Sequence, residues 1–207
     1  LQAIRWAVET QDADIVSLSL GWEQEPIEEN VPVISNAISS ALAHRNQKVL
    51  VFAAASNMGG SKHELFPAKH PTVFSVRGAS TKGKHGDFNP SLPKYGEKVF
   101  ATLGIQVPAR TRGDSTSPYS PKTGTSVATA IMAGMAAIVI GYVNIHDRKE
   151  SWNNIRTFQG FQSLLYKLST EPEERKRFVT LDNHSREEHQ AILETVLNSA
   201  SDPKGWK

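Results

Sequence analysis

Short apolar runs alternate with helical periodicity along the first half of the chain. Leu1 to Glu9 places Ile4, Ala7 and Val8 on one helical face before the polar run Thr10-Gln11-Asp12. Ala13 to Leu20 is a brief, mostly apolar run closed by Gly21, and its length and β-branched content predict a buried strand. A polar stretch with Pro26 and Pro32 reads as loop, and Ser35 to His44 as a helix with Ile38, Ala41 and Leu42 on one face. Lys48 to Ala55 and Val73 to Ala79 predict two more buried strands, and Val99 to Leu103 a short fourth. Continuous apolar strands linked through helices are the pattern of an α/β fold with a parallel sheet.

The second half is less regular. Residues 80–98 and the segment Arg110 to Thr123 are polar and rich in turn formers, so both read as surface loop. Val127 to Val143 is the most apolar stretch. At about 17 residues it is near the lower length limit of a membrane span. Its many Ala and Gly residues contribute little transfer energy, and soluble-type strands precede it, so it reads as a core helix buried on all sides, not membrane-spanning. Trp152, Ile155, Phe158, Phe161, Leu164, Leu165 and Leu168 then keep a helical period. Thr170 with Glu173, and Ser185 with Glu188, have capping-box spacing and predict two more helix starts. Residues 146–207 are therefore expected to be a helical closing segment or extension behind a domain spanning 1–145.

Composition narrows the partners. Of the 207 residues 39% are hydrophobic, which suits about one soluble domain. Lys and Arg total 23 against 21 Asp and Glu, so a net charge of +2 gives no electrostatic case for nucleic acid or an acidic membrane surface. Without cysteine there are no disulfides and no thiolate-bound zinc, and no compartment is decided. No carboxylates have calcium-loop spacing, and His63-Glu64 lacks the second His of a zinc helix, so no metal site is predicted. Opening at Leu1, inside a predicted helix, the chain reads as a piece of a longer protein.

The sharpest local signal is Thr123-Gly124-Thr125-Ser126-Val127-Ala128-Thr129-Ala130, a loop running into the apolar helix. A serine there fits a helix N-cap. It also fits a nucleophile, because free N–H groups and the positive dipole end of the helix stabilise a developing oxyanion. The Gly-x-Ser-x-Gly elbow of α/β hydrolases is approached, but Ala128 stands where that motif needs its last glycine. Asn57, in Asn57-Met58-Gly59-Gly60, reads on its own as a turn residue after a strand, and Ser19-Leu20-Gly21 as a strand end.

Taken in order, five segments resemble the subtilisin-like serine proteases, the subtilases. They are Ser19-Leu20-Gly21, Ala53-Ala54-Ala55-Ser56-Asn57, Phe66-Pro67-Ala68-Lys69-His70-Pro71 running on to Val76-Arg77-Gly78-Ala79, Gly96-Glu97-Lys98-Val99 before Gly104, and Gly124-Thr125-Ser126-Val127-Ala128. The wording Phe-Ala-Ala-Ala-Ser-Asn and Asn89-Pro90 is most similar to intracellular-type fungal members, and that resemblance implies an intracellular location. The resemblance implies a three-layer fold whose first strands lie outside this chain. It implies a serine endopeptidase acting on protein or peptide substrates, with Ser126 as nucleophile and Asn57 in the oxyanion hole helped by the Thr125 hydroxyl. Ser19, Leu20 and Gly21 would line the substrate cleft, and Ser56, in place of the usual glycine, would narrow a neighbouring pocket. It implies a cis Phe66–Pro67 bond. Structural calcium is implied by resemblance alone, and oligomeric state is not addressed. The family's Asp-Thr/Ser-Gly and His-Gly-Thr motifs are absent from this sequence. His85-Gly86-Asp87 is the nearest look-alike and reads as a surface turn. The implied reading is thus a chain that supplies nucleophile and oxyanion hole, with catalysis dependent on polypeptide beyond it. The alternative is a degenerate module that binds peptides or proteins.

Overall fold

The computed structural model describes residues 2–93, 99–110, 119–145 and 153–181. Helix α1 (Gln2–Arg5) continues as a π-helical turn, Trp6–Thr10, that buries Val8. Strand β1 (Ile15–Leu18) follows, then a small hairpin of β2 (Ile27–Glu28) and β3 (Val31–Pro32). Its turn residues Glu29 and Asn30 have φ of 50° and 63°, the pair of positive values a two-residue type I′ connection requires. Helix α2 (Val33–His44) begins at Pro32, which has no N–H and no capping side chain; Glu25 instead takes the backbone N–H and the hydroxyl of Ser35. Strands β4 (Leu50–Ala54), β5 (Val73–Ala79) and β6 (Val99–Leu103) lie where the apolar runs predict them.

One six-stranded sheet has the order β1-β4-β5-β6-β10-β9, with β10 (Lys176–Val179) parallel to β6 and β9 (Ser169–Glu173) antiparallel to β10. Strand β4 is buried along its whole length because both of its faces are covered. Leu50 and Phe52 join Phe74, Val76 and Phe100 beneath α3 (Thr125–Ile145) and α4 (Phe158–Leu168). Val49, Val51 and Ala53 face Ile34, Ile38, Ala41 and Leu42 of α2. These are the three layers of the expected α/β fold. Phe161 sits edge-on to both Phe52 and Phe74, so α4 belongs to the same core. Asp14, just before β1, is shared by Arg45 and Arg156 and ties the start of the sheet to the segment leading into α4.

The sequence reading is corrected in four places. Thr170 does not start a helix; Ser169 to Glu173 is the outer strand of the sheet, an edge position that tolerates Pro172. Part of the supposed loop before Ser126 is a hairpin of β7 (Val107–Arg110) and β8 (Tyr119–Lys122), hidden from pattern reading because Pro108 and Pro121 stand opposite each other in it. Helix α3 is not buried on all sides. It is long and apolar enough to cross a membrane, yet one face packs on the sheet through Ala128, Met132, Ala136, Val139 and Val143. Ala130, Gly134, Ala137, Ile138 and Ile145, on the other face, are exposed. Finally, His85 is not in a surface turn: it bridges to Ala79 and is buried. The Phe66–Pro67 bond is cis. Gly96 to Lys98, Trp152, His146, His184, His189 and the Ser185–Glu188 helix start lie outside the described residues.

Burial holds the His85 imidazole at about 4, helped by the nearby Arg77 and Lys176 cations and opposed by Glu173 and a hydrogen bond to the Arg177 backbone. The unfolded chain, with an ordinary value near 6.5, therefore takes up the proton first as pH falls. The stability contributed by neutral His85 is complete above about pH 6.5 and is lost between there and about pH 4. His85→Gln is expected to flatten the stability profile in that window, measured as denaturant midpoints at successive pH values; an unchanged slope would exclude this role.

Candidate functional site

Strands β1 and β4 run parallel, with Leu18 paired to Ala53, so the residues after them emerge side by side at the C-terminal end of the sheet. Open α/β sheets gather their chemistry at this end. Helix α3 starts against both strand ends. The Ser19 hydroxyl donates to the backbone carbonyl of Ser126 at 3.3 Å. The Thr125 N–H and hydroxyl both donate to Asn57 Oδ1, at 2.8 and 3.0 Å. Ser19, Asn57, Thr125 and Ser126, widely separated in sequence, are thus brought together.

The bond from Thr125 fixes the chemistry of Asn57. A backbone N–H can only donate, so the amide atom it meets must be the oxygen. Nδ2 is left as a donor with no partner among the described residues, on an exposed side chain. Gly124 makes this approach feasible: its φ is +149°, and a Cβ there would stand 3.1 Å from Asn57 Nδ2. The first helical bond of α3 runs from the Ala128 N–H to the Gly124 carbonyl, so the Ser126 N–H has no intrahelical partner. The Thr129 hydroxyl closes the first turn on the Thr125 carbonyl at 2.7 Å. At the start of α3, which carries the half-buried Ser126, two N–H donors, one from a side chain and one from the main chain, are therefore unclaimed among the described residues. That is the donor set an oxyanion requires. The buried Thr125 hydroxyl has its single proton directed at Asn57 Oδ1.

Ser56 is buried, and its hydroxyl accepts from the Met58 N–H at 3.1 Å. Leu20 is exposed, while Gly21 is crowded: a Cβ would lie 2.8 Å from Leu65 Cβ and 2.9 Å from the Phe66 carbonyl. Trp22 and Phe66 exchange backbone hydrogen bonds of 2.9 and 2.8 Å, which locks the strand end against the segment at Leu65 and Phe66. Nothing in their own sequence context singles out Trp22 or Leu65; the signal for this close packing is the glycine at position 21. No described histidine reaches Ser126. His44 ends α2, His63 lies beside Ser91, His70 turns to Thr72, and His85 is buried near Lys176. Among the described residues no three His, Asp or Glu side chains cluster to hold a metal.

The subtilase family model matches residues 1–160. The chain belongs to the subtilase family. It is 26% identical over 142 residues to the subtilisin-like protease het-Q2 of Podospora anserina, covering 68% of this chain and 37% of that protein. It is 24% identical over 166 residues to subtilisin E of Bacillus subtilis, covering 79% and 38%. Among solved structures, the patellamide maturation protease PatA superposes with a TM-score of 0.70 at 22% identity, covering 96% of this chain and 67% of that one. The prenylagaramide maturation protease PagA gives 0.65 at 21%, covering 93% and 66%. These structural likenesses establish the fold. The chain spans 37% to 38% of the length of the two curated relatives.

Gly124→Ala is expected to push Asn57 away from the start of α3. Positive φ without glycine costs about 1–3 kcal/mol, so the melting temperature should fall by several degrees while the Asn57 side-chain amide resonances shift. Unchanged amide resonances would mean that Gly124 does not control the contact.

Proposed function

We propose that Ser126 is the nucleophile of a serine endopeptidase working through an acyl-enzyme. Ser126 Oγ attacks the scissile carbonyl as its proton passes to a general base. Asn57 Nδ2 and the Ser126 N–H hold the resulting oxyanion, and its collapse expels the amine with the proton returned. The observation that carries this reading is the double acceptance at Asn57 Oδ1, which leaves Nδ2 as a donor at the start of the helix that carries Ser126. Thr125 acts by orienting Asn57. Ser19, Leu20 and Gly21 line the cleft for a peptide or protein substrate, and Ser56 adjoins its specificity pocket.

The base and its carboxylate belong to the longer protein, outside this chain, so the chain alone is inactive. Support comes from the outer edge of β1, which ends the sheet, and from the exposed apolar face of α3; both offer packing sites for further polypeptide. Without a base the hydroxyl stays protonated, and an oxyanion hole alone gives about 10³–10⁴ over water. Residues 1–145 are assigned to the catalytic domain and 146–207 to its closing segment, α4 being packed in the common core. The finer likeness to intracellular-type fungal subtilases rests on the wording around Asn57 and Asn89. Structural calcium, carried by family likeness alone, stays outside the assignment.

A fluorophosphonate probe applied to the full-length protein is expected to form an adduct on Ser126, read by peptide mass spectrometry and lost in Ser126→Ala. Asn57→Ala should lower kcat by about 10²–10³, a magnitude taken from subtilisin itself. The present chain alone should stay unlabelled. Failure of the full-length protein to label, together with saturable peptide binding, would favour the degenerate binding module.

A further inference from the structure

The loop carrying Asn57 is held from two further directions. On one side the buried Ser56 hydroxyl takes the Met58 N–H at 3.1 Å, bending the chain tightly around Asn57. On the other, the Gly59 N–H donates to the Phe88 carbonyl at 2.9 Å. Phe88 is itself immobilised: a Cβ on Gly78 would stand 2.8 Å from its Cζ, and one on Gly86 2.2 Å from its Cε1, so the ring lies in a slot between two glycines. The next residue, Asn89, is buried and completes the attachment to β5. Its Oδ1 accepts from the Gly78 N–H at 2.9 Å, and its Nδ2 donates to the Gly78 and Gly86 carbonyls, each at 2.8 Å.

From this geometry we infer that Ser56 and Asn89 are positioning residues for the oxyanion donor. The inference rests on the reading of Asn57 given above. Thr125 fixes the amide of Asn57 from α3, while Ser56 and the path from Asn89 through the Phe88 carbonyl to Gly59 fix its backbone from within the loop and from β5. A donor held from both ends requires no reorganisation as charge develops, which is the condition for strong transition-state stabilisation. Ser56 is the informative position, because the resemblance leads one to expect glycine there. Its hydroxyl gives the turn a hydrogen bond that glycine cannot, so it tightens the loop in addition to occupying space.

The test is a double-mutant cycle in the full-length protein, scored on an amide substrate. Ser56→Ala and Asn89→Asp are each expected to lower kcat about five- to tenfold, the worth of one lost hydrogen bond, with KM within about twofold. Asn89→Asp keeps the acceptor but loses the donor to Gly78 and Gly86; Ser56→Thr keeps the hydroxyl and should recover most of kcat. In an Asn57→Ala background neither change should lower kcat further, since both act through Asn57. Equal losses in both backgrounds, or a rise in KM at constant kcat, would overturn the inference even where Asn57→Ala behaves as an oxyanion variant. If Asn57→Ala itself leaves kcat intact, the functional reading falls and this inference with it. Should Asn89→Asp fail to fold, Ser56→Ala and Ser56→Thr decide the outcome.

Discussion

The geometry of the site depends on one contact, the double donation from Thr125 to Asn57 Oδ1. It joins the end of β4 to the start of α3, and it does so with an N–H that the helix cannot use internally. A helix start buried against a strand end must satisfy that donor, and Asn57 satisfies it at the cost of the amide's rotational freedom. With the Asn57 backbone held in its loop, the orientation of Nδ2 follows from this contact. Gly124 is the steric condition for the contact, and Thr129 holds the first turn in the shape it needs.

This contact is exact only because the layers beneath it are rigid. Strand β4 is buried throughout, with Phe52 stacked on Phe74 and met edge-on by Phe161. Met132 and Ala136 of α3 press on the same cluster, so the helix cannot slide along the sheet without opening the core. The strand ends, and the loops after them, are therefore presented at fixed positions. Chemistry at the C-terminal edge of such a sheet inherits its precision from packing several residues below.

Much of this was legible in the sequence, for identifiable reasons. Strands covered on both faces, such as Leu50 to Ala54, cannot hide their apolar runs, and Gly-Thr-Ser before an apolar helix marks a loop-to-helix junction wherever it occurs. What escaped lies where local rules mislead. Proline in β7, β8 and β9 argues against strand, yet edge and two-stranded positions leave its missing donor harmless. Thr170 and Glu173 have capping spacing but serve a sheet edge, where Glu173 pairs with Lys176 instead. The apolar period of α3 showed a helix but not that its far face lies open, because small residues suit both close packing and exposure. The Ser56 hydroxyl meets the Met58 N–H by a local turn bond, whereas the Asn89 side chain reaches back to Gly78 of β5, a contact that no spacing rule encodes.

In the proposed reaction Asn57 presents Nδ2, and not Oδ1, to a charge developing at Ser126. A crystal structure of the full-length protein with Ser126 phosphonylated tests it most directly. The phosphonyl oxygen is expected to accept from Asn57 Nδ2 and the Ser126 N–H while Thr125 still donates to Oδ1. A phosphonyl oxygen turned away from Asn57, or Thr125 separated from Oδ1 in the adduct, would contradict it.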